Sequence, residues 1–395
     1  MITRSQNILK LLEKGRSTFL FGARGTGKTS LLDELLRGWP SLLRIDLLRG
    51  EAFQRYATRP DLLGSELRVH LKRTTHPLTL VAIDEVQKLP SLLDEVHSLI
   101  ESYKGRVAFV LTGSSARKLK RGGANLLAGR ALTRHLHPLC SMELDLDLPR
   151  ALRYGTLPSI YLDTQAFEIT TLEAYVSTYL REEIQAEALV RQVDRFARFL
   201  ELAAQLNGEP INFAKLSRHC GVTTKTAQEY FSILVDTLIC LRLDGWSHSI
   251  KRQLLQAPKY YFFDCGVVGA LSGELRSELK VSSFRFGRLF ETFVIQEMQR
   301  RSDYLDLGLH FNYWRDKDGH EVDIIVSRSS AKPLLAIEIK SSSQPLAEDL
   351  TSMKLFAAEY PGVPLYCFCT TPRAFTLGSV TVLPWLEGLQ LLGEL

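Results

Sequence analysis

The segment "GARGTGKTS", Gly22 to Ser30, places Gly22, Gly27, Lys28 and Thr29 in the spacing G-x-x-x-x-G-K-[ST]. The chemistry open to residues in this order is the holding of a polyphosphate. Gly22, Gly25 and Gly27 let the backbone wrap closely enough for its N–H groups to point at phosphate oxygens. Lys28 would neutralise phosphate charge, Thr29 would offer its hydroxyl to Mg²⁺, and Ser30 is counted with them as a nucleotide-binding residue. A second set is in "PLTLVAIDEVQKLP", where Asp84 and Glu85 follow the run Leu78 to Ile83. Asp84 is suited to holding Mg²⁺ or its water shell, and Glu85 to polarising an attacking water. In "VAFVLTGSSARKL", Thr112, Ser114 and Ser115 follow a third apolar run. One of them, Ser114 by preference, would sense the terminal phosphate or orient the water; the competing reading is a serine capping a helix.

A different chemistry is spelled near the other end. "FGRLFETFVIQEMQRR" carries Phe286, Leu289, Phe290, Phe293 and Val294 at helical period, with Glu291 beside the apolar stripe. "LHFNYWRD", "EVDIIVS" and "LLAIEIKSS" read as three strands, the first two joined by a turn at Asp318–Gly319. Period two sends Leu335, Ile337 and Ile339 to one face and Glu338 with Lys340 to the other, while Asp323 on the neighbouring strand can approach Glu338. Glu291, Asp323 and Glu338 would suit a hard divalent cation, with Lys340 positioning or activating water. The competing reading is an exposed strand face with an ordinary ion pair.

The elements that must position the first set are those of an α/β domain. Phe19 to Phe21 is a strand entering the loop, Leu31 and Leu32 begin a helix leaving it, and Leu78 to Ile83 is a buried parallel strand ending in the acids. Between the two chemistries the chain turns helical. Leu172 to Leu206 has few breakers and reads as a helical lid or connector. "INFAKLSRHCGVTTKTAQEYFSILVDTLIC" gives a helix from Asn212 to His219, a turn at Cys220–Gly221, and a second helix capped by Thr223 or Thr224. This is a helix-turn-helix, and "LICLRLDGW" would start a wing. Arg218, Thr224, Lys225 and Gln228 are then candidate contacts to a DNA duplex, mostly to its phosphates; the alternative is a module that only packs against its neighbours.

Residues 1–150 hold 24 Lys/Arg against 15 Asp/Glu, although the whole chain of 395 residues carries only +5. The basic run "ARKLKRGG", Ala116 to Gly123, is either a phosphate-facing patch or a solvated face. With 45% apolar and 24% charged residues the composition is globular. No C-x-x-C pair occurs among the six cysteines, and "CFC" reads as alternation along one strand, which fits a reducing compartment. No leader-like segment or long apolar run is present, so a soluble cytoplasmic protein without a membrane partner is expected.

"GARGTGKTSLL", "LTLVAIDEVQKLPSLL" and "LTGSSARKLKRGGANLLAGRAL" together resemble the AAA+ superfamily ATPases of prokaryotes that carry a nuclease-like C-terminal domain of unknown function. The order Glu291…Asp323…Glu338-x-Lys340 resembles the restriction-endonuclease-like, PD-(D/E)XK, nuclease fold, which includes Holliday-junction resolvases; Val322 stands where that pattern usually has proline. The resemblance implies a P-loop AAA+ ATPase domain over 1–150, a helical lid with a winged helix over 151–270, and an α/β nuclease-like domain over 271–395. It implies ATP and Mg²⁺ as cofactors, a second divalent metal at the C-terminal acids, and homo-oligomers in which one subunit's arginine completes the next subunit's site. Of Arg130 and Arg134, Arg130 is the preferred donor. The expected function is an ATP-hydrolysing DNA-binding protein that recognises or remodels branched or single-stranded DNA, with a metal-dependent nuclease domain. The alternative is a nucleotide-gated regulatory or scaffold protein with protein partners and a catalytically inactive nuclease-like domain.

Overall fold

Five short segments pair side by side, all parallel, in the order β2-β3-β4-β1-β5: β1 Ser17–Phe21, β2 Leu42–Asp46, β3 Thr79–Asp84, β4 Val107–Gly113 and β5 Ala131–His135. The computed structural model that shows this describes residues 2–6, 8–115, 117, 119, 127, 129–180, 193–249, 256–329 and 332–395. Alternation along the strands feeds two cores. Phe19, Phe21, Val81, Ile83, Phe109 and Leu111 face the helices Gly50–Thr58, Leu62–Arg73 and Leu92–Ser102. Leu20, Leu80, Ala82, Ala108 and Val110 face Leu9–Glu13 and Lys28–Leu36. A parallel sheet covered on both faces needs strands apolar on both sides, which is why Leu78 to Ile83 reads as a run rather than an alternation. The carboxyl ends of β1, β3 and β4 emerge together, and β4 separates β1 from β3.

Among the described residues this sheet belongs to one unit, 2–139 with Asp236–Ile239; the remainder, from Cys140 on, forms a second. The second unit is built on an eight-stranded sheet in the order β12-β13-β11-β10-β9-β8-β6-β7. Its strands are β6 Cys240–Gly245, β7 Lys259–Phe262, β8 His310–Arg315, β9 Glu321–Ser327, β10 Pro333–Lys340, β11 Leu365–Cys369, β12 Phe375–Leu377 and β13 Val380–Pro384. β8, β9 and β10 are antiparallel neighbours, and β11 runs parallel to β10 after the helix Thr351–Glu359. A 21-residue helix, Phe284–Tyr304, opens on Ser283, whose hydroxyl accepts from Phe286 N, and carries Glu291. Its buried Arg300 pairs with Glu297 at 2.9 Å and donates to Thr156 Oγ1 and Phe263 O. A nearly unexposed guanidinium is tolerable only when its donors are used in this way.

The helix-turn-helix elements are Phe213–Cys220 and Thr224–Asp236, joined at Gly221. Asn212 caps the first through Lys215 N, and of the two threonines considered for the second it is Thr223 whose hydroxyl accepts from Thr226 N. Aromatic rings fix these helices to their surroundings: Phe196 and Phe199 pack edge-on against Tyr230, and Phe231 stacks on Tyr260 of β7 at 3.9 Å. The strand expected to begin a wing is β6, antiparallel to β7, and it also pairs in parallel with β8. An isolated two-stranded hairpin is marginal, and joining the larger sheet removes that weakness.

Candidate active site

The loop after β1 is shaped for an anion. Gly27, with φ 91°, sits left-handed immediately before the helix Lys28–Leu36, a conformation that any side chain would strain. At Gly22 a Cβ would come within 2.4 Å of Leu136 O, so the close approach of β1 to the chain after β5 also demands glycine. Lys28 Nζ donates to Gly22 O at 2.7 Å and arches back over the loop it follows. The N-terminal segment contributes a brace that the sequence did not announce: Arg4 donates to Thr26 O at 2.7 Å and to His137 O at 2.6 Å.

Thr29 Oγ1 donates to Asp84 Oδ2 at 3.0 Å, which joins the helix after β1 to the end of β3. Thr112 at the end of β4 donates to the other oxygen, Asp84 Oδ1. A hydroxyl and a carboxylate adjacent at the foot of a phosphate loop form the donor set that Mg²⁺ takes beside a nucleotide, so Thr29 and Asp84 fit that ion. Glu85 adopts φ 59°, ψ 45°, a left-handed conformation rare for this residue type. Its N–H donates to Thr112 Oγ1 at 3.2 Å, and its Oε2 accepts from the Gln87 amide. The same Gln87 nitrogen donates to Ser114 Oγ at 3.1 Å. Ser114 therefore stands beside Glu85, and Gln87 is the residue that joins them. Only its place two residues after Glu85 hinted at this.

Arg130 precedes β5 and is ion-paired with Glu101. Ala131 is level with Ser17 at the start of β1, whereas the phosphate loop begins after its end, so Arg130 lies at the opposite end of the strands, about 20 Å from Gly22 by strand length. Arg134 is level with Leu20 and donates to Thr133 O. Of the basic run Ala116 to Gly123, only Arg117 and Leu119 fall among the described residues. Neither faces phosphate: Arg117 is buried and paired with Asp236, and Leu119 is core. Arg218, Thr224, Lys225 and Gln228 are all exposed on the two helices of the helix-turn-helix, with Arg218 bonded back to Ala214 O and Thr224 3.4 Å from Ser217 Oγ.

The C-terminal residues singled out by spacing are brought together, in company. Lys340 Nζ lies 2.8 Å from Glu338 Oε1, Asp323 Oδ2 accepts from Ile339 N at 2.7 Å, and Glu291 Oε1 accepts from Tyr261 OH at 2.7 Å. Lys259, nearly unexposed, is ion-paired with Glu321. Burial and then the charge of Asp323 push Glu291 up to about 7 and Glu338 well above its ordinary range. Burial pulls the Lys259 ammonium down, but Glu291, Glu321 and Asp323 outweigh it and hold it at about 12. Among the described residues, no three His, Cys, Asp or Glu side chains converge as metal ligands. Lys259, Tyr261 and Glu321 were not foreseen; nothing in the local pattern of "PKYYFFD" signals an acid cluster.

The first sheet and its loop thus define a nucleotide-binding α/β domain. Residues 14–144 match the AAA domain, and this part of the chain is an AAA ATPase domain, a type that uses ATP and Mg²⁺. Residues 145–278 match a domain of unknown function, DUF8612, and residues 286–387 another, DUF4143. Two curated proteins are similar, the uncharacterized proteins Rv2008c of Mycobacterium tuberculosis and Mb2031c of Mycobacterium bovis. Each is 26% identical over 293 residues, which is 72% of this chain and 65% of the relative, so the chain spans about two thirds of their length. Among solved structures, the Pif1 helicase of Candida albicans is 19% identical over 44% of this chain and 48% of its own, with a TM-score of 0.26. Drosophila ORC bound to GC-rich DNA and Cdc6 is 9% identical over 67% and 88%, with a TM-score of 0.25. Scores of this size do not establish a common fold. No helix among the described residues is long and apolar enough to cross a membrane.

Proposed function

We propose that the chain is an ATP-hydrolysing DNA-binding protein that recognises or remodels branched or single-stranded DNA. The observation that carries the hydrolytic part is the contact of Thr29 with Asp84 at the foot of the loop, with Glu85 held next to it by Gln87. When bound, Mg²⁺ neutralises charge on the terminal phosphates. Lys28 and the loop N–H groups would bind and orient the triphosphate, Thr29 and Asp84 would hold the ion, and Glu85 would accept the proton of the attacking water while Gln87, itself bonded to Ser114, fixes its carboxylate. The position of Arg130 at the far end of the strands supports action on a neighbouring subunit's nucleotide, in a homo-oligomer.

The two helices with exposed Arg218, Thr224, Lys225 and Gln228, followed by β6 and β7, support a winged helix that contacts duplex phosphates. The helix Phe284–Tyr304, the strands β8, β9 and β10, the helix Thr351–Glu359 and β11 follow the order of the restriction-endonuclease-like fold, which supports a nuclease-like C-terminal domain. Six free, buried thiols support a reducing cytoplasm. The test is ATP turnover with and without branched or single-stranded DNA, in wild type and in Arg218→Ala/Lys225→Ala. DNA should accelerate turnover in the first and much less in the second, and binding should weaken steeply with salt. The nucleotide-gated scaffold is the second reading, favoured by ion-paired acids in the C-terminal domain; it gains if turnover ignores DNA and binding ignores salt.

A further inference from the structure

The acids of the second unit hold two lysines, and only Lys340 belongs to the strand pattern of a hydrolytic site. Lys259 comes from β7, and its side chain is 3% exposed. Its ammonium pairs with Glu321 on β9, lies 5.1 Å from the centroid of the Tyr313 ring, and acts on the charges of Glu291 and Asp323. Tyr261, two residues on, donates to Glu291, Ile339 N donates to Asp323, and Lys340 pairs with Glu338. Every carboxylate expected to ligate a metal already has a donor. That donor takes one oxygen of each; Glu338 Oε2 is buried without one, a divalent ion drawn to it would stand beside the Lys340 ammonium on the same carboxylate, and among the described residues no three His, Cys, Asp or Glu side chains converge as ligands. A lysine as enclosed as Lys259 persists only when paired, because the cost of desolvating an ammonium must be offset by opposite charge.

We infer that Lys259 is the resident cation of this cluster: its ammonium occupies the electrostatic role that a divalent ion has in a hydrolytic site, leaving a charge-matched platform that neither binds a catalytic metal nor cuts DNA. The ion implied by the family resemblance does not fit these residues. This inference is independent of the ATPase and DNA-binding readings, which use other residues.

The test uses the full chain without nucleotide. Mn²⁺ binding, followed by electron paramagnetic resonance, should be the same in wild type and Asp323→Asn up to millimolar ion. Lys259→Met strands Glu321 and should lower the melting temperature by roughly 5–10 °C, and adding Glu321→Gln should recover most of that loss. One Mn²⁺ bound per wild-type chain and lost in Asp323→Asn overturns the inference. So does a Lys259→Met protein as stable as wild type, or a double variant that stays as unstable as the single one. If Lys259→Met does not fold, the wild-type ion measurement and the double variant still decide.

Discussion

Replacing Gln87 by alanine is the sharpest test of how the hydrolysis site is set. Glu85 is a left-handed residue, which costs about 1–2 kcal/mol for a side chain with a Cβ. Its carboxylate is held in place by the Gln87 amide, a hydrogen bond to a charged group worth about 1.5–3 kcal/mol. Gln87 is itself buried, its Oε1 so close to Gly113 that a Cβ there would come within 2.5 Å. Its amide nitrogen is shared between Glu85 and Ser114, while its Oε1 accepts no hydrogen bond. If the bond serves to aim the carboxylate at water, its loss raises the barrier without touching Lys28 or Thr29. With about 1.4 kcal/mol per factor of ten, Gln87→Ala should lower kcat by roughly 10- to 100-fold. Affinity for a fluorescent ATP analogue should stay within about twofold, since the loop contacts remain. Phosphate release and analogue titration measure the two numbers. A kcat within twofold of wild type, or an affinity loss as large as the rate loss, would show that Gln87 only packs and does not position Glu85.

Other outcomes follow from the same geometry. Lys28→Ala should weaken nucleotide binding, whereas Glu85→Gln should bind ATP and hydrolyse it slowly; equal turnover in Glu85→Gln and wild type removes Glu85 from the mechanism. Arg130→Ala should suppress hydrolysis with ATP affinity intact, and mixing it with Glu85→Gln subunits should restore activity at interfaces where an intact arginine meets an intact glutamate. A fully active, strictly monomeric Arg130→Ala protein refutes action in trans. Glu291 has a folded pKa near 7, above its ordinary 4.5, so the folded state holds its proton more tightly. The stability this contributes is complete below about pH 4.5 and is lost as pH rises through 7. Melting temperature should fall over that window and fall less in Glu291→Gln; an identical slope in the two proteins contradicts the assignment.

The phosphate loop was legible because its chemistry is local: Gly22 to Ser30 fixes donors, charge and hydroxyl within nine consecutive residues, and the flanking strand and helix are needed merely to present them. The two acids at the end of β3, Asp84 and Glu85, were legible for the same reason. Thr112 was visible as one of three hydroxyls around the end of β4, but which of them reaches Asp84 depends on strand register, and register is a tertiary fact. Arg117 was misjudged as part of a basic face. Leu119, two positions on, enters the core, and Arg117 is buried with Asp236 from far along the chain. The alternation in "LLAIEIKSS" correctly put Glu338 and Lys340 together, because period two is a property of the backbone.

Lys259 lay beyond that kind of reading, and the reason is topological. β7 is at the end of the sheet order, beyond β6 and β8, yet its first side chain reaches Glu321 on β9. No periodicity within β7 encodes that reach; it depends on how β6 joins β8 at Asp244 and Gly245. The residue that follows, Tyr260, faces the other way and stacks on Phe231 of the helix-turn-helix. One short strand thus presents Lys259 and Tyr261 to the acids and Tyr260 to the helix bearing Thr224, Lys225 and Gln228. The nuclease-like pattern of Glu291, Asp323, Glu338 and Lys340 is complete when those residues are read alone, and its meaning changes when a strand from outside the pattern brings its own cation. Acid spacing states which groups converge; the charge that balances them has to be sought on every element packed against them.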